Sequence, residues 1–271
     1  MRADQLLVER GLAASRSQAV RLIAGGLRWR LAGSDAWRSV TKNRDDLPES
    51  AEVDLIDQAE ARYVSRGGLK LEGALRQSGL SVAGKRCLDV GQSTGGFTDC
   101  LLRHGAAGVV GVDVGHGQLH PALRADARVV CIEGVNARNL NASDFIAVNI
   151  DGETAEAPFI QKFEVIVGDL SFISLTLVLP ALVPLLASQG ALLLLVKPQF
   201  ELQPGQIGKG GIVRDAALYA VVEQRLREGL ANLGLRVLAW FESAIAGGNG
   251  NREFFVHAAH LSSFNKTGTP S

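Results

Sequence analysis

The stretch that most constrains this chain is Leu88-Asp89-Val90-Gly91-Gln92-Ser93-Thr94-Gly95-Gly96-Phe97-Thr98. Apolar residues run into it, three glycines bend it, and a helical pattern follows from Phe97 to His104. That order specifies a strand, a tight turn and a helix start. Glycines let the backbone take positive φ and approach a ligand closely. The unsatisfied N–H groups at a helix start favour a carboxylate or a phosphate. The spacing Gly-x-x-x-Gly-Gly is not the Gly-x-Gly-x-x-Gly of dinucleotide folds. A second apolar run, Gly108 to Val112, ends in Asp113. An acid at the tip of the second strand suits the ribose hydroxyls of an adenosine cofactor. The same cluster also fits an ordinary βα turn whose glycines only aid packing.

The 271 residues, 46% of them hydrophobic, suffice for one good core and a small extra domain. Net charge is +0, so no global basic field draws in nucleic acid, and any such attraction must come from local patches. Cys87, Cys100 and Cys131 form no C-x-x-C pair and read as buried free thiols in a reducing compartment. The N-terminus, Met1-Arg2-Ala3-Asp4-Gln5, lacks an apolar signal core. The longest apolar region, Ala181 to Val196, is broken by Pro184, Gln189 and Gly190 and does not span a bilayer. These features point to a cytoplasmic protein with no membrane partner.

Residues 1–60 differ from the rest. Leu6, Leu7 and Val8 give a short helix stripe stopped by Gly11. Ser15 with Gln18 makes a capping box for a second helix, with Ala19, Leu22 and Ile23 on its buried face and Gly25-Gly26 ending it. Arg16, Arg21, Arg28, Arg30, Arg38, Lys42 and Arg44 crowd the first part, while acids collect from Asp45 to Glu60. Arginines on two short helices suit a phosphate backbone, and they equally suit a solvated helix face. The run from Arg2 to Gly26 resembles the small RNA-binding domain of a small-subunit ribosomal protein, also found in pseudouridine synthases and tyrosyl-tRNA synthetases. Leu27-Arg28-Trp29-Arg30 departs from the apolar strand of that family, and Leu31 to Asp46 is long and polar. The resemblance implies RNA contacts at Arg2, Arg16, Arg21, Arg28 and Arg66.

After a linker at 61–64, residues 65–262 read as a doubly wound α/β domain, followed by a flexible tail at 263–271. Ser65-Arg66-Gly67-Gly68 is a turn leading into a helix built on Leu69, Leu71, Ala74 and Leu75, with Lys70 in its first turn, where a cation opposes the dipole. Strands are expected at Arg86–Val90, Val109–Asp113, Arg128–Ile132, Glu164–Val167, Ala191–Val196, Arg236–Phe241 and Glu253–Ala258. Helices are clearest at Leu175–Leu186 and Asp215–Leu233. Continuous apolar strands such as Val165-Ile166-Val167 belong in a parallel sheet buried on both faces. The last two strands suit an antiparallel edge hairpin, and Asn141 to Gln161 reads as a polar surface insertion.

Two strand ends carry chemistry: Val167-Gly168-Asp169 and Leu195-Val196-Lys197. Ligands of open α/β sheets bind at the carboxyl ends of strands, so both should face the crevice of Gly91 and Asp113. Asn251-Arg252-Glu253 opens the last strand with a carboxylate. By themselves Lys70, Asp169, Lys197 and Glu253 are also compatible with two ion pairs that lock strand ends.

Tyr63 to Leu71, Leu88 to Thr98, Gly168 to Ser174, Val196 to Glu201 and Asn251 to Phe254 together resemble the TlyA family, over nearly the whole chain and in order. These are rRNA 2′-O-methyltransferases, sometimes named haemolysins, with an FtsJ-like catalytic domain of Rossmann-like fold. The resemblance implies S-adenosyl-L-methionine as cofactor and a cytidine ribose of ribosomal RNA, free or in a ribosomal subunit, as substrate. It implies a catalytic tetrad of Lys70, Asp169, Lys197 and Glu253. It places the cofactor at Asp89, Gly91, Gln92, Ser93, Thr94, Gly95, Gly96, Phe97, Asp113 and Asn136. Lys197 is the residue expected at the ribose hydroxyl. A lysine base must first lose a proton it ordinarily holds to ~10.4, so orienting the hydroxyl is an equally open role.

Three departures carry expectations. Gln92 replaces a small residue and should crowd the methionine end of the cofactor. Gly134-Val135 replace a more polar pair, and His116 stands where an aromatic is common. His116 and His120 are four apart, but Gly115, Gly117 and Pro121 argue against one helix face, so no metal site is expected. Two other functions compete: an rRNA-binding assembly factor with a degenerate site, and a membrane-lytic haemolysin.

Overall fold

A computed structural model describes residues 1–13, 15–24, 26–55, 62–145, 162–247 and 250–260, with the side chains of residues 17, 21 and 24 left aside. The chain divides into two units, Met1–Leu69 and Lys70–Ser271. The expected tail at 263–271, most of the polar insertion and the first residue of the linker lie outside the described residues.

In the first unit, helices α1 (Ala3–Glu9) and α2 (Arg16–Ala24) pack with a three-stranded antiparallel sheet of β1 (Leu27–Arg30), β2 (Arg38–Val40) and β3 (Glu52–Leu55), in the order β2-β1-β3. Ala3, Leu6, Leu7, Ala19, Leu22, Leu27 and Leu47 form its core. Gly11 takes φ +69° after α1, where a side chain would be strained. Ser15 Oγ accepts the Gln18 N–H at 3.2 Å, the first half of the expected box. Leu27-Arg28-Trp29-Arg30 is a strand despite its polarity. Arg28 and Arg30 are paired across the sheet with Asp54 and Glu52, each at 2.6 Å. The expected split into a basic first half and an acidic second half is therefore partly closed by the fold.

Helix α3 (Arg66–Ser78) runs across the division. It begins at Arg66, so Gly67 and Gly68 are helical rather than a turn, and Lys70 falls beyond the first turn. Gly68 suits that place because an added Cβ would lie 2.2 Å from Cγ of Tyr63.

The second unit is built on a seven-stranded sheet of β4 (Arg86–Val90), β5 (Gly108–Asp113), β6 (Val129–Glu133), β7 (Phe163–Gly168), β8 (Leu186–Val196), β9 (Leu235–Glu242) and β10 (Phe254–His260). The order is β6-β5-β4-β7-β8-β10-β9. Strands β4 to β8 pair in parallel, and β10 runs antiparallel to both β8 and β9. The expected antiparallel hairpin of the last two strands stands at this edge of the sheet, with β9 outermost and β10 between β8 and β9. Joining them are α4 (Gly96–Arg103), α5 (Pro121–Arg124), α6 (Leu175–Leu182), α7 (Pro198–Glu201) and α8 (Ala217–Asn232). Leu88, Val90, Ile166, Leu192 and Leu194 of the central strands share a core with Val178 of α6 and Leu226 of α8.

Two boundaries of the second unit differ from expectation by more than two residues. Helix α6 stops at Leu182 and passes through a 3₁₀ turn at Val183–Leu185, because Pro184 lacks the N–H that a continuing helix needs. Strand β8 therefore starts at Leu186, five residues before the expected start. The beginning of the polar insertion is not wholly superficial. Ala142–Phe145 is a 3₁₀ turn whose Phe145 is buried, its ring 5.3 Å edge-on from that of Phe163. Cys87 and Cys100 are buried, but Cys131 is only half-buried.

The chain leaves β4 towards β5 and β6, then returns to the other side of β4 as β7. Strand order reverses there, and the divergent loops open a crevice at the strand carboxyl ends.

Candidate active site

A cleft of about 500 Å³ lies at that reversal, within the range of small-ligand sites. Gly91, Ser93, Asp113, Val135, Asn136 and the loop from Asp169 to Ile173 line it, with Val114 and Gln118 at its side. The register explains the meeting. Val90 pairs with Gly168, so Gly91 and Asp169 leave adjacent strands side by side. Gly91 has φ +82°, and an added Cβ would stand 3.0 Å from the Asp169 carbonyl oxygen. Only glycine suits both the backbone and the space.

Asp113 accepts the Ser93 N–H at Oδ2 and the Gly115 N–H at Oδ1, both at 2.7 Å. The carboxylate is thus held against the glycine turn, at the edge of the cleft. Ser93 itself takes φ +47° and donates its hydroxyl to Gln118 at 3.1 Å. Asn136 caps a 3₁₀ turn by accepting the Arg138 N–H at 3.0 Å, and Val135 beside it donates its N–H to the Asp113 carbonyl. Gly134 takes φ +75°, and an added Cβ would meet His116 Nε2 at 3.0 Å. His120 caps α5, accepting the Ala122 N–H. Among the described residues no group of three His, Cys, Asp or Glu side chains is arranged to hold a metal ion.

The rest of the glycine stretch supports the cleft without lining it. Asp89 is fully buried, and Thr98 donates to it at 2.7 Å while accepting from Gln92 Nε2 at 2.9 Å. Burial pushes the Asp89 carboxyl up to about 7, against the Thr98 hydrogen bond. The Gln92 side chain is turned into the fold beneath Gly111, where an added Cβ would meet its Cδ at 1.9 Å. It is not among the residues that line the cleft. Thr94 accepts the His120 N–H through its carbonyl, Gly95 caps α4 at φ +96°, and Gly96 and Phe97 are buried at the helix start. These four are likewise not among the lining residues.

The four charged residues fall into two ion pairs at one end of the sheet. Lys197 Nζ lies 2.6 Å from Asp169 Oδ1 and donates to Ser171 Oγ at 2.7 Å. The Asp169 contact is an ion pair without hydrogen-bond alignment, and the aligned bond goes to Ser171. Lys70 Nζ donates to Glu253 Oε2 at 2.6 Å, with both side chains buried. Phe254 pairs with Val196, so the antiparallel register sets Glu253 and Lys197 at the same end of neighbouring strands. Asp169 belongs to both groups, since it lines the cleft and pairs with Lys197.

Of the expected RNA contacts, Arg2 pairs with the buried Asp4 at 2.7 Å and Arg28 with Asp54. Arg16 is exposed at the start of α2, Arg66 is the first residue of α3, and the Arg21 side chain lies outside the described residues. Residue patterns did not single out Ser171, Gln118 or Phe172. The first and last lie inside the quoted run Gly168 to Ser174, but only the structure shows their contacts. Phe172 takes φ +65° and is 90% exposed at the cleft, its ring 5.0 Å from that of Phe200. Nothing in the sequence around Gln118 marks it.

The FtsJ-like methyltransferase family matches residues 63–260. The 16S/23S rRNA (cytidine-2′-O)-methyltransferase TlyA of Mycobacterium tuberculosis is 43% identical over 94% of this chain and 88% of its own length. A protein named Hemolysin A from Brachyspira hyodysenteriae is 38% identical over 95% of this chain and 99% of its own. The solved structure of a hemolysin-named protein from Streptococcus thermophilus aligns with a TM-score of 0.71 at 38% identity, covering 97% of this chain and 89% of that one. By sequence and fold, this chain belongs to the FtsJ-like methyltransferases.

Proposed function

We propose that this protein transfers a methyl group from S-adenosyl-L-methionine to the ribose 2′-hydroxyl of a cytidine in ribosomal RNA. The observation that carries this reading is the double role of Asp169, at once a wall of the cleft and the partner of Lys197. The residues present fit the cofactor. Gly91 keeps the turn open where a Cβ would close it, and the Asp113 carboxylate stands at the cleft edge for ribose hydroxyls. When bound, S-adenosyl-L-methionine supplies a methyl group activated by its sulfonium.

What this chain must do is align a weak nucleophile and manage its proton. In this reading Lys197 Nζ, which contacts the cleft-lining Asp169 and Ser171, meets the 2′-oxygen. As an ammonium it would donate a hydrogen bond that fixes the oxygen, and the hydroxyl proton would leave to water as the methyl carbon bonds to that oxygen and parts from sulfur. Glu253 pairs with Lys70 in the interior, and the register sets Glu253 at the same end of the sheet as Lys197. Phe172, 90% exposed at the mouth of the same cleft beside Phe200, presents an aromatic ring suited to stacking on the base of the target nucleotide.

The test compares ribose methyl groups on rRNA from cells with and without this protein, alongside calorimetry of S-adenosyl-L-methionine binding. One cytidine methyl that disappears with the protein supports the reading. Cofactor heat without any change in rRNA would move the methyl to another acceptor. Absence of cofactor heat at high protein concentration would favour a binding-only assembly factor.

A further inference from the structure

The loops that follow β7 and β8 meet at three levels. Outermost, the Phe172 and Phe200 rings lie 5.0 Å apart. Next come Asp169 and Ser171 with Lys197. Innermost is Glu201, only 4% exposed. Its Oε2 accepts the Ser174 hydroxyl at 2.5 Å and its Oε1 accepts the Leu175 N–H at 2.7 Å. Its main-chain carbonyl accepts from Arg225 on α8.

A carboxylate withdrawn from water is costly unless its bonds are met, and here burial raises the pKa of Glu201 against those same bonds. Helix α6 has its N-cap in its own chain segment, and Glu201 supplements it by accepting the first N–H of the helix. Ser174 already stands at the N-cap, its Oγ accepting the Thr176 N–H at 3.2 Å. The proposed chemistry does not use the Glu201 charge. What the carboxylate adds is a bond between two loops that no strand pairing holds together. Lys197 is four residues before Glu201, and Asp169 is five before Ser174.

We infer that Glu201 is a positioning residue: by clasping Ser174 and Leu175 it holds the loop of Lys197 against the loop of Asp169, and so sets the lysine ammonium relative to Asp169 and Ser171. The role rests on the methyltransferase reading of this site, but the clasp itself is measurable without turnover.

The full chain is prepared as wild type, Glu201→Ala, Glu201→Gln and Ser174→Ala. Acetylation rates of individual lysines by acetic anhydride are read by mass spectrometry, with exposed Lys209 as the control. Opening the clasp should free Lys197, so Glu201→Ala acetylates there about fivefold faster with Lys209 unchanged. Methyl transfer should fall about tenfold in kcat, as a shift of an aligned group of less than an ångström can cost, with cofactor Kd within about twofold. Glu201→Gln should restore both, since an amide can accept from the Leu175 N–H and donate to the Ser174 oxygen. Ser174→Ala, which keeps the Leu175 bond, should change both in the same direction by less, and it decides the matter if Glu201→Ala does not fold. Unchanged Lys197 reactivity in the variants that fold overturns the clasp. So does a loss that glutamine fails to reverse, or one in which kcat and cofactor affinity fall together. A wild-type protein that transfers no methyl group sinks the enzymatic reading alone, and the labelling still decides the clasp.

Discussion

Lys197 has two partners within 2.7 Å and one of them, Ser171, is neutral. That mixture suits a group that must hold a substrate hydroxyl as well as its own neighbours, whereas a purely structural lysine gains more from a second carboxylate. Replacing it by alanine removes the proposed contact to the 2′-oxygen and reaches the cleft lining only through Asp169 and Ser171. Lys197→Ala should therefore lower single-turnover methyl transfer by about a hundredfold or more while cofactor Kd stays within about twofold. Parallel loss of cofactor binding would contradict the assigned role. Asp89 acts in another way. Its folded pKa is raised from 3.8 to about 7 by burial, so between those values the folded chain holds a proton that the unfolded chain has released. Its contribution to stability is present below pH ~4 and is lost as pH rises through about 7. Asp89→Asn should flatten the fall in denaturant midpoint over that window; equal slopes in both proteins would show that Asp89 is not the titrating group.

At the scale of elements, the site is a consequence of pairing register. Val90 beside Gly168, and Phe254 beside Val196, bring residues from distant parts of the chain to one end of the sheet. The Lys70–Glu253 pair then ties α3 to the start of β10. Buried pairs of this kind contribute little net stability, but removal of one partner strands a charge, at about 3–5 kcal/mol. The glycine turn is the most sensitive element. Gly91→Ala imposes a left-handed alanine, roughly 1–2 kcal/mol of strain, and pushes a methyl group onto the Asp169 carbonyl at 3.0 Å. The expected outcome is a modestly lowered Tm with cofactor affinity reduced by about tenfold or more. Calorimetry showing wild-type affinity in this variant would mean that the turn does not approach the ligand.

At the scale of the molecule, zero net charge leaves RNA attraction to local patches. In the first unit some of the arginines are already engaged, Arg28 and Arg30 with carboxylates on β3 and both lying over the Trp37 ring at about 5 Å. Arg16, exposed at the start of α2, is a better candidate for phosphate. Arg16→Glu with Arg21→Glu should weaken rRNA binding and reduce the slope of log affinity against log salt by roughly 1–2. A salt series that superimposes on wild type would assign docking elsewhere.

The alternation of apolar runs and helical patterns marked the seven strands of the second unit, and continuous apolar runs marked those buried on both faces, such as β7, because a strand covered on both faces must be apolar throughout. The glycine spacing and the acid at Asp113 marked the turn and the second strand tip. What the sequence could not carry is direction. Residues 89 and 92 lie within the same motif as Gly91, yet their side chains turn inward to Thr98, and only packing beneath Gly111 decides that. The insertion of β10 between β8 and β9, the exposure of Phe172, and the bond from Glu201 to Ser174 were likewise decided by tertiary structure. Local sequence sets the period of each element, whereas contacts between loops of different strands depend on register and strand order, which no single stretch encodes.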